Sequence, residues 1–157
     1  MDAVIAAIEE KRRVLQHLTH QHCYACGTPE SGGLGLCFVS QNDGSVTADW
    51  ACPVNYQSYE GILHGGVIAT LLDGAMVHAL FADGVVAHTA ELCVRYRHPI
   101  HVGCLVRVTA RRGERTGALH LLTAEVVQNE VVCATAQAKF MATPLITTAQ
   151  LNETPRR

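Results

Sequence analysis

At 157 residues and a formal net charge of -2, the chain has the length of one ordinary domain, able to bury about 70% of its unfolded surface. It lacks the basic excess that marks a nucleic-acid partner, and no uninterrupted apolar run reaches the roughly 18 residues of a membrane span. Seven cysteines is an odd number, and Cys37, Cys52, Cys93, Cys104 and Cys133 are scattered through strand-like segments. They read as small buried hydrophobes of a protein in a reducing cytoplasm rather than as a disulfide framework.

Residues 1–19 predict an amphipathic surface helix, with Val4, Ile5, Ile8, Val14 and Leu15 broken by the charged run Glu9 to Arg13. That pattern is not a secretory leader. Next comes His20-Gln21-His22-Cys23-Tyr24-Ala25-Cys26-Gly27. Thiolates with imidazole suit zinc, but a structural site needs four ligands, and no second pair follows at finger-like spacing. The expectation is therefore a packed turn with no metal; a metal or redox centre at Cys23 and Cys26 is the alternative.

Leu34–Ser40 and Ser45–Cys52 predict two strands, joined at Asp43-Gly44, a hairpin pair. A loop over 53–63 leads into a helix from Gly66 to Ala82, capped at Asp83-Gly84. The second half alternates as strands: Thr89–Tyr96, Cys104–Arg111, Ala118–Val127 and Val131–Phe140, separated by short turns, so they form an antiparallel meander. In the first of these, Ala90, Leu92, Val94 and Tyr96 share one face, and Thr89, Glu91, Cys93 and Arg95 the other. Residues 144–157 lose periodicity and read as a frayed tail. One domain over 1–157 is expected, without repeats or linker.

The helix is the most apolar element in the chain. From Val67 to Ala82 only Thr70, Asp73 and His78 are polar, so it should be buried, with the sheet wrapped around it. A carboxylate in such a helix is costly unless it finds partners or serves chemistry, and a local hydroxyl such as Thr70 is the plain candidate partner. At the other end, Gly65-Gly66 presents backbone N–H groups without intrahelical acceptors, at the positive end of the helix dipole.

This arrangement resembles the hotdog-fold acyl-CoA thioesterases, particularly the PaaI-like group of phenylacetate metabolism. The residues that carry the likeness are Tyr59, Gly61, His64, Gly65, Gly66, Leu71, Leu72, Asp73 and Met76. Cys23-Tyr24-Ala25-Cys26-Gly27 with Gly33-Leu34-Gly35-Leu36 is similar to the opening of many bacterial members, and Thr89 to Ile100 to the strand after the helix. The resemblance implies an α+β hotdog fold, an antiparallel sheet of five to six strands around one long buried helix, preceded by an N-terminal helix.

It also implies a reaction, the hydrolysis of a small to medium aryl- or acyl-CoA. Asp73 would be general base or nucleophile; a backbone N–H of Gly65, or secondly Gly66, would polarise the carbonyl. His64 either orients the thioester or caps the helix. Asn55 and Gln57 are candidates for the upstream amide that family members place near the thioester. The position one turn after the acid, where related enzymes carry a hydroxyl, is Val77. Residues 54–63 with Met76, Val77 and Leu80 are candidate walls for the acyl group. Arg95, Arg97 and Arg111, with Arg112, Arg115 and Lys139, are candidates for the phosphates of coenzyme A, which is part of the substrate, so no cofactor is expected. Gly65 and Asp73 lie eight residues apart, about 12 Å along a helix. Both can meet one thioester carbon only if they come from different chains, so a homodimer, or a tetramer built from it, is expected, with neither nucleic acid nor membrane as partner. The alternative is a hotdog module that binds acyl-CoA without cleaving it.

Overall fold

The computed structural model describes residues 3–144. The tail assigned to 144–157 lies, from residue 145 onward, outside them. In chain order the elements are α1 (Ala3–Thr19), β1 (Val39–Ser40), β2 (Val46–Trp50), α2 (Gly65–Ala82), β3 (Ala87–Tyr96), β4 (Val106–Thr116), β5 (Leu119–Gln128) and β6 (Val131–Ala142), with short 3-10 turns at Pro29–Ser31 and Val54–Tyr56. The six strands form one sheet in the order β1-β2-β4-β5-β6-β3, and every neighbouring pair is antiparallel. α2 lies against its inner face, which makes this a hotdog fold.

Alternation decides which side of the sheet meets α2. Val106, Val108 and Ala110 of β4, Leu122, Ala124 and Val126 of β5, and Ala134, Ala136 and Ala138 of β6 are buried against it. From α2 itself Leu71, Leu72, Ala75, Met76, Ala79, Leu80 and Phe81 are almost wholly removed from water. By length and composition α2 is also apolar enough to cross a bilayer, and here it is the core helix, mostly enclosed by the sheet.

Several boundaries differ from the sequence reading. Leu34 to Phe38 does alternate, with Leu34, Leu36 and Phe38 buried. Its amides, however, bond the turn before it, Leu34 N–H to Tyr24 O (2.8 Å) and Leu36 N–H to Ala25 O (3.1 Å), so only Val39–Ser40 joins the sheet. β4 runs through the expected turn at 112–117 as far as Thr116, with its register shifted between Arg112 and Arg115, and the chain reverses at Gly117 (φ 60°). Of the five scattered cysteines only Cys52 and Cys133 are buried; Cys37, Cys93 and Cys104 are exposed. Alternation places Cys93 on the outer face of β3, where a small thiol has no core to fill.

α1 is more than a surface helix. Arg12 is 3% exposed and donates to Glu9 (3.0 Å), Gln16 (3.0 Å) and the ring Nδ1 of His78 on α2 (2.8 Å). Glu9 in turn accepts from the Ser40 amide (2.9 Å). Because arginine only donates, His78 Nδ1 must accept, and the ring is the neutral tautomer with its proton on Nε2. The ring stacks on Phe38 at 4.2 Å and meets Phe81 edge-on at 5.3 Å. Burial first, then the charges of Arg12 and His20, hold His78 far below its ordinary range, at about 2.

Arg12→Ala strands Glu9 and His78 without their cation and is expected to destabilise the fold by about 3 kcal/mol, seen as a lower urea midpoint at unchanged m value. His78 adds an acid sensitivity. Its folded pKa is depressed below 6.5, so the unfolded chain binds the extra proton. Stability should fall as pH drops below that value, by up to about 1.4 kcal/mol per pH unit from this ring. Urea midpoints measured across that window check the slope.

Candidate active site on helix α2

The N-terminus of α2 is built by His64, its N-cap residue, whose backbone is extended (φ -63°, ψ 133°) and whose Nδ1 accepts the Gly66 N–H (2.9 Å). The His64 carbonyl takes the amides of Val67 (3.0 Å) and Ile68 (3.1 Å). Among the described residues no acceptor meets the amide of Gly65. His64 and Gly66, both candidates from sequence, satisfy each other, and this leaves Gly65 as the free donor of the first turn. A Cβ on Gly66 would lie 3.0 Å from His64 Nδ1, so this glycine is what lets the cap close. Tyr96 at the end of β3 donates its hydroxyl to the Gly65 carbonyl (2.8 Å) and holds the helix start to the sheet. A cleft of about 250 Å³ opens beside Gly65, lined by Ile62, Ile68, Tyr96, Arg97 and His98 among others.

Asp73 sits two turns on, half-buried, in a different cavity of about 470 Å³ lined also by His20, Cys23, Thr70, Val77, Thr89 and Leu92. Its Oδ1 accepts from the Thr89 hydroxyl (2.7 Å). Thr70, the expected partner, bonds the Gly66 carbonyl instead (3.0 Å). Thr89 reaches Asp73 because β3 shifts register between Thr89 and Glu91: Thr89 pairs with Phe140, an inner residue, while Glu91 pairs with Lys139 on the outer face. Strict alternation puts Thr89 beside Glu91, facing away; one irregular residue turns it inward. Burial raises the Asp73 pKa above its ordinary 3.8, opposed by the Thr89 bond. The Cys23 side chain adds to the rise, and the nearby His20 ring opposes it.

α2 is therefore not covered all round. Gly66 is exposed, and Gly65, Ala69, Thr70 and Asp73 are only partly buried, an i, i+3, i+4, i+7 stripe that the chain leaves open. The turn holding Cys23 and Cys26 closes one side of it. It can do so because Gly74 has no side chain: a Cβ there would come within 2.9 Å of the Ala25 Cβ.

The remaining candidates divide. Gln57 accepts the Gly61 amide (3.0 Å) and is used to close its own loop, whereas Asn55 is exposed on the 3-10 turn. Neither lines the cleft of Gly65 or the cavity of Asp73. Arg97 lines the Gly65 cleft, and together with Arg111 it borders a groove on the outer face of the sheet. Arg111 is ion-paired with Asp43 (2.8 Å), Arg112 with Asp83 and Lys139 with Glu91. Arg95 is exposed on β3. Met76 and Leu80 face the core, and of the expected acyl walls on α2 only Val77 borders the Asp73 cavity. Thr89, Tyr96 and His20 had no role in the sequence reading of this site.

A six-stranded antiparallel sheet around one helix, with a glycine pair at the helix mouth and an acid two turns inside, defines a hotdog protein. Residues 60–135 match the family model of the thioesterase superfamily, and the chain has the hotdog fold of the solved structures it resembles. Its fold is shared with the Escherichia coli PaaI protein of the phenylacetic acid degradation operon (17% identity, 87% of this chain and 96% of that one, TM-score 0.72). A phenylacetic acid degradation-related protein of Ralstonia eutropha is similar as well (24% identity, 82% and 98%, TM-score 0.66). So is a Streptococcus mutans protein bound to acetyl-CoA (21% identity, 69% and 88%, TM-score 0.64). Among curated proteins no sequence match is found.

A raised carboxylate pKa means that the folded chain favours protonated Asp73, so the ionised form costs stability once pH rises through the folded value. Asp73→Asn keeps an oxygen for Thr89 and removes the charge. Its Tm is expected to exceed wild type at pH 7 to 8, and the difference should close as pH falls below the ordinary carboxylate range. Thermal melts of both proteins against pH check this.

Proposed function

We propose that the protein is an acyl-CoA thioesterase that hydrolyses a small to medium aryl- or acyl-CoA to the free acid and coenzyme A. The observation that carries this reading is the open stripe of α2, which holds an unengaged Gly65 amide at one end and a half-buried Asp73 at the other. The amide, at the positive end of an 18-residue helix, suits the oxygen that becomes negative in a tetrahedral intermediate. Asp73, fixed by Thr89 and disfavoured as an anion by burial, suits a general base for water or a nucleophile toward the acyl carbon. Neighbours in the PaaI group, and one bound to acetyl-CoA, support the substrate class.

The two groups open into separate cavities of one chain. This supports a site completed across a homodimer, the Gly65 of one protomer facing the Asp73 of its partner. β3 supports it too: it is an edge strand of ten residues, largely exposed, and such an edge needs covering. At the Gly65 cleft Arg97 is the favoured cation for the phosphates of coenzyme A, with Arg95 farther along β3. Arg111, held by Asp43, is the weaker candidate. Seven free thiols, three of them exposed, fit a reducing cytoplasm.

Thiol release from a panel of short-chain, medium-chain and aryl-CoAs tests the proposal. Wild type is expected to turn over at least one class, and Asp73→Asn to lose about two or more orders of magnitude in kcat while still binding. The acid limb of kcat/KM should lie above 3.8, because burial raises Asp73. Gly66→Ala, which pushes the His64 ring off the helix, is expected to cost about tenfold or more by misplacing the donor. Binding of acyl-CoA with no thiol released from any member would make the protein a binding module instead. An active Asp73→Asn variant would remove Asp73 from the mechanism.

A further inference from the structure

The turn between α1 and the extended Leu34–Phe38 segment brings together three residues that the proposed hydrolysis does not use. A ring nitrogen of His20 and the Sγ atoms of Cys23 and Cys26 all lie within 4.8 Å of one another. Cys26 Sγ is 3.7 Å from His20 Nδ1. In a tetrahedral zinc site, with Zn–S about 2.3 Å and Zn–N about 2.0–2.1 Å, the S···N edge is about 3.6 Å. That pair already stands near the separation an ion would impose, the third donor lies within 4.8 Å of both, and both thiols are free.

The surroundings hold this geometry from outside. The Gly27 amide bonds the Cys23 carbonyl (2.7 Å), and the amides of Leu34 and Leu36 bond the carbonyls of Tyr24 and Ala25. Ala25, between the two cysteines, is seated on α2 at Gly74. The His20 ring packs edge-on against Phe81 at 4.9 Å. A packed turn needs the backbone bonds, but it does not need three soft donors converging from the end of a helix and the turn after it. A disulfide between the cysteines would leave the placement of His20 without a reason.

We propose that His20, Cys23 and Cys26 form a zinc site with three protein ligands whose fourth position opens into the cavity of Asp73. Two thiolates and an imidazole are the donor set that selects zinc over hard cations such as magnesium or calcium. Three protein ligands are the pattern of a site that keeps one position for water or another small ligand. His20 and Cys23 both line the Asp73 cavity, so that position faces the cavity's occupant. Asp73 does not belong to the set of mutually close donor atoms; it lines the same cavity, as a neighbour of whatever fills the open position. The sequence reading counted these same donors and lacked a fourth for a structural site; a site with an open position needs only three protein ligands.

The test reads metal, not turnover, so it stands or falls separately from the thioesterase proposal. The reduced full-length chain, produced with zinc and desalted, is expected to carry about one zinc per chain by elemental analysis. After zinc removal, cobalt(II) should restore a sulfur-to-cobalt charge-transfer band in the near ultraviolet together with tetrahedral d–d bands in the visible. Cys23→Ser/Cys26→Ser should lose the metal and both sets of bands, and Cys37→Ser, whose thiol is exposed elsewhere, should keep them. Circular dichroism confirms that each variant is folded; if the double variant is not, the cobalt spectrum of the native chain alone decides. A reduced wild-type chain that binds neither ion would overturn the proposal. So would metal retained by the folded double variant, or a Cys23–Cys26 disulfide that persists in the chain kept under reducing conditions.

Discussion

An 18-residue helix with almost no polar side chains cannot remain in water, and the rest of the fold answers that constraint. The inner faces of β2, β4, β5 and β6 supply the apolar partner, and a sheet wide enough to cover the helix must curve around it. The same enclosure makes any polar group on α2 conspicuous. His78, facing α1, is kept neutral and given a buried arginine as its partner. Asp73, facing the other way, keeps one hydroxyl bond and an opening to solvent.

That opening is where chemistry becomes possible. A fully wrapped helix would be inert, but the chain leaves the stripe from Gly65 through Asp73 uncovered. His64 prepares one end by taking the Gly66 amide, which leaves the Gly65 amide as an unspent donor in the field of the helix. Thr89 prepares the other by fixing the carboxylate while burial raises its pKa. Because these ends are separated by two turns of one rigid helix, a single chain cannot close them on one small group. The exposed edge of β3 and the open stripe are the two surfaces that the proposed homodimer would cover.

The fold was legible because it rests on periodicity. α2, the four long strands and their antiparallel order follow from apolar runs and alternation, and Gly65, His64 and Asp73 follow from their spacing at a helix start and two turns inside it. Alternation failed where the backbone breaks step. A single register shift in β3 turns Thr89 toward Asp73, and no residue there announces it. Leu34–Phe38 alternates like a strand, yet its amides are taken by the preceding turn. Cys37, Cys93 and Cys104 fit a buried pattern by composition, but Cys93 lies on the outer face of β3 and the other two lie outside the strands, and all three are exposed.

The sequence by itself determined that a greasy helix had to be enclosed by an antiparallel sheet, and that an acid and a glycine-capped N-terminus would share that helix. Those are local properties, written in residue type and spacing. Only the tertiary structure decided which amide stays free, which hydroxyl meets Asp73, and that Arg12 and His20, remote from α2 in the chain, come to rest against it. Such pairings depend on where separate segments cross and on a one-residue irregularity, and periodicity along a single segment carries no record of either.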